Sequence, residues 1–235
     1  MDQFDQIAAM MQDLLEKSGI ELPKNQMAPD SQVEAYVSSI ADVAGRYAEQ
    51  SSQLQVASEE ATATVQFSVK GESMYRGYYH PSPVQELIVT NVTRGRLTKK
   101  PPLSGSYYQY RFDADGNLLS VNQYHKKKLA AAEYLIRPNE SEEYGLWFEH
   151  GYGSVLMIGT KTVYENGRPV AFCSVRMPLN LNCANQFDLQ TFAYQGDVLS
   201  DVTFETGVYG MFSRRHTYHV VTDGKGMRLD EITDS

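Results

Sequence analysis

Four turn-forming dipeptides divide the second half of the chain into short segments and are the strongest constraint on its fold. They are Asp115-Gly116, Asn166-Gly167, Gln195-Gly196 and Asp223-Gly224. Such pairs favour tight turns between antiparallel strands, because the central residues of these turns need positive φ angles. The flanking segments are rich in β-branched and aromatic residues, and 23 of the 26 aromatic residues follow residue 60. The sequence therefore predicts a succession of antiparallel β-hairpins.

The region before the hairpins predicts two amphipathic helices. In the first, apolar residues recur every three or four positions from Phe4 to Leu15, and Gly19 stands where a helix can end. Residues 20–30 contain two prolines and are interpreted as a linker.

The second helix is predicted to begin at Ser31, which has the spacing of a capping box with Glu34. Its apolar stripe consists of Val33, Tyr36, Val37, Ile40, Val43, Ala44 and Tyr47. We expect this helix to end between residues 50 and 58. Because only one face of each helix is apolar, each must pack on the sheet, on the other helix or on a second copy of the chain.

Together these patterns predict an α+β fold, in which two N-terminal amphipathic helices precede a large, mostly antiparallel meander sheet. A partly closed barrel or cup is the alternative form of that sheet. Residues 1–60 are interpreted as an acidic helical segment and residues 61–235 as the β-hairpin domain, joined in one folded unit.

Some strands and loops can be placed individually. Residues 155–159 are apolar throughout and predict a central strand, and Cys173 is predicted to be a small core residue on an apolar strand face. The alternation in residues 198–206 predicts one mainly buried face, with Val198, Val202 and Phe204, and one mainly wet face, with Leu199 and Glu205. Long loops are expected at residues 96–106 and 177–186, and the second of these contains Cys183.

The formal charge is unevenly distributed along the chain. Residues 1–60 hold three basic and eleven acidic residues, whereas residues 61–235 hold 18 of each sign. No basic face is evident apart from the runs at residues 126–128 and 214–215. We therefore expect no nucleic-acid partner.

The sequence also favours a cytoplasmic protein. The N-terminus is acidic and has no basic region before its apolar residues, and no run of 18 apolar residues is present. Two cysteines are too few for a disulfide scaffold. No membrane association is expected.

His216 and His219 have the spacing of a metal pair on a helix, but the segment around them predicts a strand. An odd spacing then sends the two imidazoles to opposite faces, so no metal site is predicted. Arg214, His216 and Tyr218 share one face, which we interpret either as an anion-binding site or as a polar sheet surface.

Trp147, His150 and Tyr152 surround a glycine-rich turn and form a second candidate binding site. Aromatic clusters at such turns often serve recognition, but burial of the tryptophan in the core is the favoured explanation of the pattern. The turn itself is expected to connect two strands.

No catalytic residues, metal ligands or cofactors are predicted. Asp113–Asn117 has its glycine at the wrong position for a calcium loop, so its side chains are expected to satisfy the backbone of a turn. Glu142 and Glu143 are neighbours on a strand, point apart and cannot form an acid–base pair.

Residues Tyr108–Val121 resemble one tyrosine/aspartate hairpin unit of the kind repeated in bacterial YD-repeat toxin shells. Such shells contain many tandem copies, and the other hairpins of this chain match the unit poorly. We therefore interpret the likeness as convergent hairpin chemistry.

Three functions are compatible with these features. The first is a non-catalytic binding protein, such as a bacterial immunity protein that neutralises a toxin by protein–protein contact; acidic charge would suit a basic toxin. The alternatives are a small-molecule or lipid carrier with a β-cup, and an enzyme of unrecognised class with a pocket lined by histidine, tyrosine and arginine. Pairing of two copies through the N-terminal helices is left open.

Overall fold

The computed structural model describes residues 31–71, 75–89, 91–151, 153–177, 185–209, 212–224 and 226–232. Its helices are α1 (Ser31–Tyr47), α2 (Ser51–Glu60) and the short α3 (Gln85–Ile88), with a 3₁₀ turn at Gly77–Tyr79. The first predicted helix, the linker after it and Cys183 lie outside the described residues. No helix in the described part of the chain is long and apolar enough to cross a bilayer.

Twelve strands form one antiparallel sheet. They are β1 (Thr64–Val69), β2 (Arg96–Thr98), β3 (Ser106–Phe112), β4 (Leu118–His125), β5 (Lys128–Asn139), β6 (Glu142–Glu149), β7 (Val155–Glu165), β8 (Arg168–Arg176), β9 (Gln186–Gln195), β10 (Val198–Val208), β11 (Phe212–Asp223) and β12 (Gly226–Glu231). From β4 to β12 each strand pairs with the one before it in sequence, while β1 lies between β3 and β2. The α+β meander is confirmed.

The sheet is open, with β2 and β12 as its two edges. The barrel alternative is therefore not formed. The apolar run at residues 155–159 begins β7, which lies in the middle of the sheet as predicted. Residues 96–98, expected in a loop, form the edge strand β2 and pair with β1.

The four turn dipeptides join consecutive strands, as predicted. In the β7–β8 turn both Asn166 and Gly167 have positive φ, at 51° and 75°. Asp113 supports the β3–β4 turn, because its carboxylate accepts hydrogen bonds from the backbone N–H groups of Asp115, at 3.0 Å, and Asn117, at 2.8 Å. The expected role in satisfying the turn backbone is confirmed for Asp113.

Helix α1 packs its apolar stripe on the middle of the sheet. Val33, Val37 and Ile40 are fully buried in the main core cluster, together with Cys173. Gly159 in β7 permits the close contact, since a Cβ there would lie 2.4 Å from Cγ2 of Ile40. The stripe read from the sequence is thus the packing face of the helix.

The helix ends earlier than expected, at Tyr47, and a separate helix follows. Gln50, immediately before α2, has a non-helical backbone, with φ −106° and ψ 20°. The change of direction lets α2 reach β4, where Ser58 and Ser120 share a buried hydrogen bond of 2.6 Å. The prediction of one longer helix was wrong. The contact between Ser58 and Ser120 joins distant parts of the chain, so the local sequence carries no signal for it.

The predicted faces of β10 were wrong in part, although Val202 is buried as expected. A bulge between Leu199 and Asp201 shifts the register, so Leu199 joins Val202 in a buried cluster while Val198 is 62% exposed. Glu205, expected in water, is 3% exposed and is bound by Arg215. A bulge reverses the alternation on one side of it, and a simple period of two cannot reveal that.

A segment between β1 and β2, residues 75–89, crosses the sheet face opposite α1. Its Val84 packs against Phe172 and Phe192, whereas Cys173 and Leu189 belong to the core under α1. Neighbouring residues of a strand point to opposite faces, so the middle of the sheet is covered on both sides. We call residues 75–89 the crossing segment.

Candidate functional site

The crossing segment is fixed to the sheet by one buried arginine. The guanidinium of Arg76 donates to both carboxylate oxygens of Glu133 in β5, at 2.7 and 3.2 Å, and to Glu143 in β6. All three side chains are at most 3% exposed. Thr160 in β7 completes the group with a contact of 3.4 Å to Arg76. We call these four residues the arginine cluster.

The backbone and a glycine make room for this cluster. Arg76 itself has a left-handed conformation, with φ 60°, which is uncommon for a residue with a side chain. Gly145 in β6 faces the cluster, and a Cβ there would lie 2.0 Å from Glu133 Oε1 and 2.5 Å from Thr160 Oγ1. No side chain other than hydrogen fits at residue 145 without moving the ion pair.

The neighbouring carboxylates keep Arg76 charged. Burial alone would lower the pKa of Arg76, but the carboxylates of Glu133 and Glu143 outweigh burial and raise it. A second guanidinium, from Arg137, binds the other oxygen of Glu143. Both carboxylates are therefore committed to guanidinium groups, which suits a structural clamp better than proton transfer.

A polar groove of about 780 Å³ opens beside the cluster. The partly exposed Arg137 and Tyr164 line it, along with the β3–β4 and β5–β6 turns. Burial, followed by the charge of Glu143, raises the pKa of Tyr164, so its hydroxyl stays protonated at neutral pH. The groove can offer hydrogen-bond donors to a polar group.

His80 fixes the next turn of the crossing segment. Its Nδ1 accepts a hydrogen bond of 3.1 Å from the backbone N–H of Ser82, and Ser82 Oγ donates to Gln190 in β9 at 2.5 Å. Burial above all, and then the charges of Arg76 and Arg94, lower the pKa of His80 well below its ordinary value. The imidazole is neutral and has a positional role.

The helix layer carries a second groove, which is apolar. It has a volume of about 460 Å³ and is lined by Ala41, Ala44, Gly45, Ala48, Ser154, Val155, Leu156 and Met177. Helices α1 and α2 and the turn between them carry exposed carboxylates, namely Glu34, Asp42, Glu49, Glu59 and Glu60, against one exposed arginine in this described part of the chain, Arg46. We call the outer side of α1 and α2, with this groove, the acidic helix surface.

The structure does not join the predicted residues Trp147 and His150 by any hydrogen bond or ring contact among the described residues. The Trp147 ring meets Tyr75 of the crossing segment edge-on, with centroids 5.9 Å apart. His150 Nδ1 lies 3.0 Å from Ser154 Oγ. Tyr152 lies outside the described residues. The turn does connect β6 and β7, as predicted.

The second predicted group lies near the other edge of the sheet. In β11, Arg214, His216 and Tyr218 oppose Thr206, Phe204 and Val202 in turn, so they share one face. The rings of His216 and Tyr218 stack with centroids 6.3 Å apart. Their binding role stays a prediction.

The expected separation of His216 and His219 is confirmed by their contacts. His216 Nδ1 lies 2.6 Å from Glu231 Oε1 in β12, whereas His219 contacts Asp201 in β10. Among the residues that the structure describes, no three His, Cys, Asp or Glu side chains are grouped to hold a metal ion.

Sequence reasoning missed the arginine cluster. Glu133 stands among apolar strand residues, which is a signal for a buried, paired carboxylate, whereas Glu143 follows another glutamate and carries no such signal. Glu142 and Glu143 do point apart as predicted, since Glu142 binds Lys161 at 2.6 Å. Nothing local marks Arg76 as the partner, because it lies 57 residues from Glu133 in sequence.

No protein-family model, curated protein or solved structure matches this chain. Any assignment of function therefore depends on the surfaces described above.

Proposed function

We propose that this protein is a non-catalytic binding protein that recognises a basic partner protein through its acidic helix surface, in the manner of an immunity protein. The observation that carries the proposal is an apolar groove in a helix layer that also carries exposed carboxylates. Within the described residues, no cationic group lies within 4.0 Å of the carboxylates of Glu34, Asp42, Glu49 and Glu60. Exposed charge around an apolar pocket is the usual arrangement of an interface with a buried anchor and a polar rim.

The groove suits an apolar or aromatic anchor from the partner. Its walls are small residues of α1 and apolar residues of β7, and no atom lies within 4 Å of the position that a Cβ at Gly45 would take. The carboxylates would speed association with a basic surface, because charge complementarity acts mainly on the association rate. A non-catalytic role is supported further by the buried carboxylates of Glu133, Glu143 and Glu205. Each accepts hydrogen bonds from an arginine, which leaves it poorly suited to proton transfer.

The test uses the product of the gene immediately upstream, purified and inactivated, as the candidate partner in calorimetry and stopped-flow binding. We expect Gly45→Trp, which fills the groove, to weaken binding at least ten-fold. Ala114→Trp, in the exposed β3–β4 turn, serves as the matched control and should bind like the wild type.

Asp42→Lys with Glu49→Lys should slow association and reduce its dependence on salt. A partner that binds the Gly45→Trp variant with unchanged affinity contradicts the proposal, as does an upstream product that is a metabolic enzyme and does not bind. A small molecule that co-purifies in native mass spectrometry and is lost in Gly45→Trp would instead favour the carrier alternative.

A further inference from the structure

The strand register brings basic residues that are distant in sequence to one margin of the sheet. Val69 in β1 lies opposite Arg96 in β2, and His125 in β4 lies opposite Lys128 in β5. Between them, β3 begins at Ser106, which pairs with His125. We call the resulting group the basic margin; it consists of Lys70, Arg96, Lys126, Lys127 and Lys128.

The basic margin is exposed and uncompensated. All five side chains are exposed, and no carboxylate in the described residues lies within 4.0 Å of any of them. The chain has no acidic residue between Glu86 and Asp113 or between Asp115 and Glu133. By contrast, Arg137 and Arg215 each bind a buried glutamate. The margin therefore retains its positive charge for an external anion.

Aromatic rings lie directly beside this charge. Tyr107 and Tyr124 oppose each other on β3 and β4 and stack with centroids 4.9 Å apart and planes at 9°. The ring of Phe67 in β1 meets Tyr107 edge-on at 6.2 Å. All three rings are partly exposed. We call them the aromatic ledge; it covers three adjacent strands, or about 10 Å at the usual strand spacing.

We propose that the aromatic ledge and the basic margin form a binding site for single-stranded nucleic acid. Unpaired bases stack on exposed aromatic rings, and phosphates are neutralised by neighbouring lysine and arginine side chains. The expectation of no nucleic-acid partner depended on the apparent lack of a basic face. The register supplies such a face from Lys70, Arg96 and the run at residues 126–128, which the linear sequence separates.

Neither a duplex nor an acidic protein would use both parts of the site. A duplex keeps its base faces stacked inside, so the aromatic ledge would add nothing. An acidic protein would engage the lysines without a need for stacked tyrosines. The aromatic ledge and the basic margin share no residue with the acidic helix surface, so this inference and the proposed function can fail independently.

The test is fluorescence anisotropy of the full chain with a labelled oligothymidylate of about 12 nucleotides, within the usual site size of one binding module. We expect binding that weakens with salt, with a slope of about −0.7 per phosphate contacted. Replacing Lys126, Lys127 and Lys128 by Gln should lower affinity at least ten-fold near 50 mM salt and reduce the slope by about 2. Tyr107→Ala should lower affinity about ten-fold and leave the slope unchanged.

The matched control replaces Arg168, Arg176 and Arg228 by Gln, which changes the net charge equally at a distance from the site. It should bind like the wild type. Absence of binding near 50 mM salt overturns the proposal. The proposal is also overturned if a duplex or a poly-glutamate peptide binds as tightly as the oligothymidylate. It is overturned as well if the control variant loses as much affinity as the lysine variant, or if a folded Tyr107→Ala variant keeps the wild-type affinity.

Discussion

Gly145 is the residue on which the arginine cluster most directly depends. In Gly145→Ala the new methyl group would lie 2.0 Å from Glu133 Oε1 and separate it from Arg76. Disrupting a buried ion pair leaves charges without partners, so we expect the free energy of unfolding to fall by about 3 kcal/mol. Urea denaturation measures this change.

Gly45→Ala is the matched control for this substitution. No atom lies within 4 Å of the position that its Cβ would take. Alanine favours helix over glycine, so stability should rise by roughly 0.5–1 kcal/mol. If both variants shift the urea midpoint equally, the cluster does not stabilise the fold.

His80 should make stability depend on pH. Burial above all, and then the charges of Arg76 and Arg94, lower its pKa well below 6.5. The unfolded chain therefore binds one proton more than the folded chain when the pH lies between these two pKa values. In that window the free energy of unfolding should fall, as pH falls, by up to about 1.4 kcal/mol per unit.

The measurement is urea denaturation at pH 7.5 and pH 5.5. His80→Gln keeps an acceptor for the Ser82 N–H and removes the titration, so its stability should depend less on pH. Burial also lowers the pKa of His150, which contributes equally in both proteins. Identical pH dependence in the two proteins would exclude the role assigned to His80.

At the scale of elements, α1 should derive its attachment from its buried stripe. Ile40 is fully buried and its Cγ2 contacts the backbone of Gly159. Ile40→Ala leaves a cavity between helix and sheet, so we expect a loss of about 2–4 kcal/mol. Ser38→Ala, on the exposed side of the same helix, should change stability by less than about 0.5 kcal/mol. Thermal denaturation of both variants tests the assignment.

The sequence was informative wherever an element is specified by its own residues. The Asn166-Gly167 turn and the stripe through Val37 and Ile40 depend on backbone conformation and helical period, so both could be predicted. The bulge at Leu199 could not, because one extra residue changes every face assignment beyond it without altering the local composition.

The candidate sites depend on contacts between distant segments, which explains why they were mostly missed. Arg76 meets Glu143 across 67 residues of sequence. The basic margin arises only once β1, β2, β4 and β5 are placed side by side. Periodicity carries no information about which strand ends become neighbours in space.

At the scale of the whole molecule, protection against hydrogen exchange should decrease from the middle of the sheet to its edges. Strands β6 and β7 are covered by α1 on one face and contact the crossing segment on the other. Strand β12 pairs only with β11 and is largely exposed. We expect β7 to exchange its amide hydrogens slowest and β12 fastest among the strands, as measured by mass spectrometry of peptides from the exchanged protein. Uniform protection would mean that the sheet opens as one unit.

The nearest-neighbour order of β3 to β12 has a mechanical consequence. Tension applied at the C-terminus would load one pair of strands at a time, so β12, β11 and β10 would detach in succession at low force. Resistance would rise at β9, where Gln190 is bound by Ser82, 108 residues away in sequence. The crossing segment would then resist further detachment, whereas the strands outside it separate one after another at low force.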